Sequence, residues 1–179
     1  SVVGGGAFNV ANCTISTIAG GNQNTTSLSY TFIGGGSANS VSGYMSAVVA
    51  GFGNSASGAD AFIGGGRSNI ASGCRSTVSG GYVNTVGGGG NNSASTIAVV
   101  AGGSSNNASG QRSAIGGGHA NTASTNYGVI GGGYNNSNTG YASTLSGGYL
   151  NNVSGTQSVI GGGRTNTNSG YRAFIGGGQ

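Results

Sequence analysis

The chain has 179 residues, 43 of them glycine, with no proline, no tryptophan and only 3% charged residues. That composition is foreign to globular enzymes; the absence of a Gly-X-Y period argues against collagen, and the low charge and recurring aliphatics argue against disorder. The net charge of +4 rests on five scattered arginines and one aspartate, too sparse for a nucleic-acid surface, and no apolar run approaches a membrane span or a signal peptide.

Taken in chain order, aliphatic residues recur at Val3, Ile18, Ile33, Val48, Ile63, Val78, Val100, Ile115, Ile130, Leu145, Ile160 and Ile175. Each step is 15 residues except that from Val78 to Val100, where 22 residues make one repeat plus seven inserted ones. The third residue after each aliphatic is glycine, from Gly6 through to Gly178. The sixth is asparagine in every complete repeat: Asn9, Asn24, Asn39, Asn54, Asn69, Asn84, Asn106, Asn121, Asn136, Asn151 and Asn166. The whole of 1–179 is therefore a single repeat array, with a surface loop expected near 87–94.

Fifteen residues are too few for a helical hairpin, and the glycines disfavour any helix. The expected fold is all-β, a parallel β-solenoid (β-roll) of about twelve coils with two short strands in each. One strand falls in segments such as Ser158 to Gly161 and the other in segments such as Asn151 to Ser154. Gly-Gly-Gly and Ser-Gly mark the corners, where positive φ angles are expected. Coils stacked at about 4.8 Å place the asparagines in a buried ladder whose amides bond one another and cap turn backbone.

If the aliphatic points inward, its predecessor points outward. That row reads Thr17, Phe32, Ala47, Phe62, Thr77, Val99, Ala114, Val129, Thr144, Val159 and Phe174. A stripe with bulky apolar groups at Phe32, Phe62, Val99, Val129, Val159 and Phe174 exceeds what a monomer leaves in water, and reads as a subunit interface. Variation is otherwise confined to the corners, where tyrosine and arginine gather; Tyr44, Tyr82, Tyr134, Tyr141, Tyr149, Tyr171, Arg67 and Arg164 form the candidate binding surface.

Catalytic chemistry has little to build on. Asp60 and His119 fall four coils apart, roughly 19 Å, too far for a proton-transfer pair. Cys13 and Cys74 are as widely separated, beyond disulfide reach. The run Gly87 to Gly90 lacks the lysine of a phosphate-binding loop, and one aspartate cannot furnish a calcium-binding roll. No enzyme activity, cofactor or metal is expected. Glycosylation sequons stand at Asn12, Asn24, Asn91, Asn107, Asn135 and Asn152, and matter only in a source that glycosylates its proteins.

Segments such as Ala56-Ser57-Gly58 leading to Ala61-Phe62-Ile63-Gly64, and Val153-Ser154-Gly155 leading to Ser158-Val159-Ile160-Gly161, resemble the head repeats of trimeric autotransporter adhesins and similar repeats of phage and viral fibres. The 15-residue period and the Gly-Gly-Gly corner differ from the usual head repeat. The resemblance implies a left-handed roll, a homotrimer about one axis, an extracellular place on a cell or virion surface, and attachment to host glycan or matrix. With no polar cap at either end, the array reads as a segment of a longer structural or adhesive fibre. The alternative is an ice-binding roll, which needs a uniform outward row of Thr or Ser; the phenylalanines disrupt such a row on the face preceding the aliphatic.

Overall fold

The computed structural model describes residues 1–87 and 97–179; apart from Gly87, the loop expected near 87–94 lies outside the described residues. The chain is an all-β parallel solenoid with a 15-residue repeat. Among the described residues, twelve two-residue strands, from Val2–Val3 to Phe174–Ile175, form the first sheet, and eleven, from Val10–Ala11 to Thr167–Asn168, form the second. Sequence-order strands alternate between the sheets, so each coil contributes one strand to each, giving eleven complete turns. Equivalent residues pair one repeat apart throughout, as Phe32 with Ala47 and Ile33 with Val48. The pairing of Thr77 with Val99 carries the same register across the insertion.

Strands of two residues satisfy few backbone groups by themselves. The remainder bond between coils around the turns, as Arg67 N–H does to Gly81 O at 2.9 Å and Ser68 N–H to Phe52 O at 2.9 Å. These bonds create a third column of parallel bridges running Ala7, Asn22, Ser37, Phe52, Arg67, Tyr82, Ser104, His119, Tyr134, Tyr149 and Arg164. What reads in the sequence as a permissive corner is thus held in register like a strand.

The cross-section of one coil holds four inward side chains. In the coil that begins at Ile33 they are Ile33, Asn39, Val41 and Ser46, all buried. The aliphatics stack over one another along the axis, each contributing about 1.5–3 kcal/mol by burial. Most inward serines donate to the carbonyl three residues before them, as Ser46 does to Gly43 and Ser158 to Gly155, both at 2.5 Å; the buried Ser76 hydroxyl makes no such bond. Two inward positions of the second sheet are taken by Asn138 and Asn168 in place of Val or Ala. Each donates from Nδ2 to two carbonyls at 3.0 Å, those of Val129 and Ser143 and those of Val159 and Ala173.

The two corners work differently from expectation. At the Gly-Gly-Gly corner the third glycine does have positive φ, +97° at Gly21. A Cβ there would also stand 2.2 Å from Gly36 O and 2.6 Å from Asn24 Nδ2, so both conformation and space demand glycine. At the Ser-Gly corner the glycine is not left-handed, which corrects the expected positive φ. Gly58 is required because a Cβ would lie 2.0 Å from Gly73 O of the next coil. The left-handed residue comes two positions later and is not glycine: Met45, Asp60, Arg75 and Arg112 have φ of 53°, 55°, 57° and 56°. A second left-handed column of mostly non-glycine residues follows the bridge column, including Ala38, Ser68, Val83 and Leu150.

Candidate interaction surfaces

The asparagine ladder is structural in its geometry. Asn24, Asn39, Asn54, Asn69, Asn84, Asn106, Asn121, Asn136 and Asn151 are buried, and Asn9 and Asn166, at the ends of the stack, are half-buried. From Asn9 to Asn151, each Oδ1 accepts from the backbone N–H of the asparagine in the next coil, as Asn39 Oδ1 does from Asn54 at 3.0 Å. Each Nδ2 donates to a glycine-corner carbonyl of its own coil and to one of the next, as Asn121 does to Gly117 at 3.0 Å and Gly133 at 2.9 Å. With both ends of the amide engaged, these side chains are not available to a ligand. The Asn24 sequon is buried with them, and that at Asn91 lies outside the described residues.

Four surfaces remain on the outside. The first sheet presents the row that runs from Val2 to Phe174. Phe32, Phe62 and Phe174 are 41%, 40% and 72% exposed; Val99 and Val129 are exposed and Val159 is half-buried. Two residues along the strand, a second outward row holds mainly glycine. The Phe32 ring lies across it, with Cε1 3.3 Å from where a Gly34 Cβ would stand; the Phe62 ring covers Gly64 likewise at 3.6 Å. Each phenylalanine therefore makes a ridge across its own level; at the level between them Ala47 is low, but Val49 beside it in the second row is 42% exposed. Neither row carries an ionisable residue.

The second sheet presents the opposite chemistry. Its outward row includes Thr25, Ser40, Ser55, Thr85, Asn107, Thr122, Ser137, Asn152 and Thr167, interrupted by Val10 and Ile70. Two residues on, a parallel row of Ser27, Ser42, Ser57, Ser72, Ser109, Ser124, Thr139 and Ser154 runs beside it. Hydroxyl and amide groups thus form a grid of about 4.8 by 6.7 Å. Sequence reasoning tested only the other sheet for such a grid, although the Asn-x-Ala-Ser alternation carries it.

The eight Tyr and Arg positions singled out from sequence are all exposed, but they divide between two columns. Arg67, Tyr82, Tyr134, Tyr149 and Arg164 belong to the bridge column, whereas Tyr44, Tyr141 and Tyr171 stand at the Ser-Gly corner. On the bridge column, His119 stacks on Tyr134 at 5.2 Å, Tyr134 on Tyr149 at 5.1 Å and 8° between planes, and the Arg164 guanidinium lies 5.1 Å over Tyr149. Arg67 lies 5.3 Å over Phe52 lower in the same column. The other corner is less continuous. Tyr30 meets Tyr44 edge-on at 5.5 Å, Tyr127 meets Tyr141 at 5.7 Å, and Arg112 both covers Tyr127 and donates to its hydroxyl.

Asp60 pairs with Arg75 across one level at 3.9 Å, and His119 belongs to the aromatic stack; the two are not brought together. Cys13 and Cys74, both half-buried, stand in the first and fifth coils. Among the described residues no three His, Cys, Asp or Glu side chains are grouped to hold a metal ion, and no helix is long and apolar enough to cross a membrane. No protein-family model matches the sequence, and no curated protein is similar to it at a significant level.

Proposed function

We propose that the chain is a rigid structural rod, a segment of an extracellular adhesive fibre that associates with copies of itself through the first sheet. Its stacked Tyr and Arg column is the surface offered to a glycan or matrix partner. The observation that carries this reading is the exposed Phe and Val row, a long uncharged stripe whose bulk rises at every second coil. Such a stripe exceeds what an isolated soluble protein leaves in water. The resemblance to autotransporter heads and viral fibres suggests a trimer and a cell or virion surface as the setting. Light scattering of the chain is the direct test. An oligomer that Phe62→Asp dissociates supports the reading, and a monomer at all accessible concentrations overturns it. Glycan-array binding of the assembled rod, lost in Tyr134→Ala, tests the adhesive part.

A second reading is favoured by one observation, the two-row hydroxyl grid on the second sheet. A flat, regular array of small polar groups on a stiff scaffold is suited to ordering water, and hence to binding ice. Inhibition of ice recrystallisation, abolished by Thr122→Tyr but not by Phe62→Asp, would favour it over the fibre. No inhibition by the native chain would remove it.

A further inference from the structure

We infer that the partner on the first-sheet face is a second copy of this chain running antiparallel, packed so that each ridge meets a low level. This rests on the reading of the chain as a self-associating rod, and it puts a two-fold pair in place of the trimer that the resemblance suggests. Numbered from the Val2 level, the bulky groups occupy odd levels through Val159 and the small ones, Thr17, Ala47, Thr77, Ala114 and Thr144, occupy even levels. The relief is greatest where the Phe32 and Phe62 rings cover the neighbouring glycines and where Ala114 stands beside Gly116; at the Ala47 level the second row carries Val49, 42% exposed.

Symmetry then separates the arrangements. A parallel pair in register sets Phe62 against Phe62 and Ala47 against Ala47, ridge on ridge and gap on gap. A parallel pair staggered by one level would interdigitate, but its operator does not close and would propagate without end. A two-fold axis across the rod reverses the order of levels. Level 5 then faces level 8 and level 3 faces level 10, so Phe62 lies over Ala114, Phe32 over Thr144, and Ala47 receives Val129. Other antiparallel registers whose two level numbers add to an odd sum keep this fit for levels 1 to 11; Phe174, a bulky group on level 12, is the exception and in this register meets Val2.

The area suits a dimer of modest strength. Eleven steps of about 4.8 Å give a face about 53 Å long, and the two outward rows make it about 10 Å wide. Two such faces bury about 1,000 Å² in total, the lower bound for a specific interface. With no ionisable group on the face, no charge needs desolvation on closure.

The test exchanges ridge and groove. Ala114→Phe should weaken dimerisation tenfold or more in analytical ultracentrifugation, and Phe62→Ala/Ala114→Phe should recover most of the loss, because residues 62 and 114 face each other twice across the two-fold axis. Both sites are on the outer face, and an unchanged melting temperature at a concentration where each chain is monomeric confirms that the fold is kept. Spin labels in a Cys13→Ala/Cys74→Ala background supply the direction: two copies labelled at Thr14→Cys should lie about 40 Å or more apart, whereas a parallel pair brings them close. A parallel dimer or trimer, or a double variant no better than Ala114→Phe, overturns the antiparallel inference while leaving self-association intact. A monomer overturns both.

Discussion

Asn54 Oδ1 accepts two hydrogen bonds from Asn69 in the next coil, one from the backbone N–H at 3.0 Å and one from Nδ2 at 3.1 Å. Asn69 in turn accepts from Asn84 N–H at 2.9 Å and donates to Gly65 O and Gly81 O, both at 3.0 Å. Asn69→Ala should orphan the buried Asn84 N–H and weaken the capping of two carbonyls, lowering stability by about 3 kcal/mol. Asn9→Ala, at a half-buried end of the ladder, should cost less than about 1 kcal/mol. Chemical denaturation of both variants checks the contrast; equal effects would mean that the ladder contributes no more than its outermost rung.

Glycines in this chain fall into two kinds that sequence does not separate. Gly58→Ala drives a Cβ to 2.0 Å from the Gly73 carbonyl and should destabilise by about 3 kcal/mol. Gly35 has open space where its Cβ would be and an ordinary φ. Gly35→Ala should be neutral, or stabilise by about 0.5 kcal/mol through the unfolded chain. Thermal melts of the two variants would reveal the difference directly.

Val83 is β-branched and yet left-handed, with φ of 55°, a conformation such residues adopt only under constraint. The same position three repeats on holds Asn135 at φ of 51°. Val83→Asn should therefore raise stability by about 1 kcal/mol, read as a higher denaturation midpoint with unchanged slope.

The Tyr134 and Tyr149 rings lie parallel at 5.1 Å on the exposed bridge column. A double-mutant cycle with Tyr134→Ala and Tyr149→Ala should give a coupling of about 0.5–1.5 kcal/mol. The pair Asp60 and Arg75, 3.9 Å apart with both side chains about half-exposed or more, should give a coupling below about 1 kcal/mol that disappears in salt.

The fold was legible because its period is written into buried positions. Ile63 and Asn69 recur at fixed distances, and only stacking explains why an amide and an aliphatic are both held so strictly. The asparagine row could be recognised for the same reason. Left-handed residues such as Asp60 and Arg112 were not legible, since that column accepts many side chains and leaves no repeating letter. Gly58 misled for the opposite reason, because a glycine demanded by a close neighbour looks the same as one demanded by φ. Tyr82 and Tyr44 were read as one surface, since distance along the chain does not say that one belongs to a bridged column and the other to the opposite corner. Asn138 and Asn168 look like variable letters in the sequence, although they replace core aliphatics and bond to backbone.

Among the described residues each strand pairs only with strands of the coils directly before and after it, which sets how the rod bears load. Residues 1 and 179 sit at opposite ends of the stack, so a pull between them loads the inter-coil bonds in series rather than all at once. The array should yield by peeling one coil at a time from an end, each event releasing about 15 residues, or roughly 45–50 Å of extended chain. A force trace would then be a train of small, nearly equal steps, and a rod gripped along its length by a neighbour would replace that train with one larger rupture.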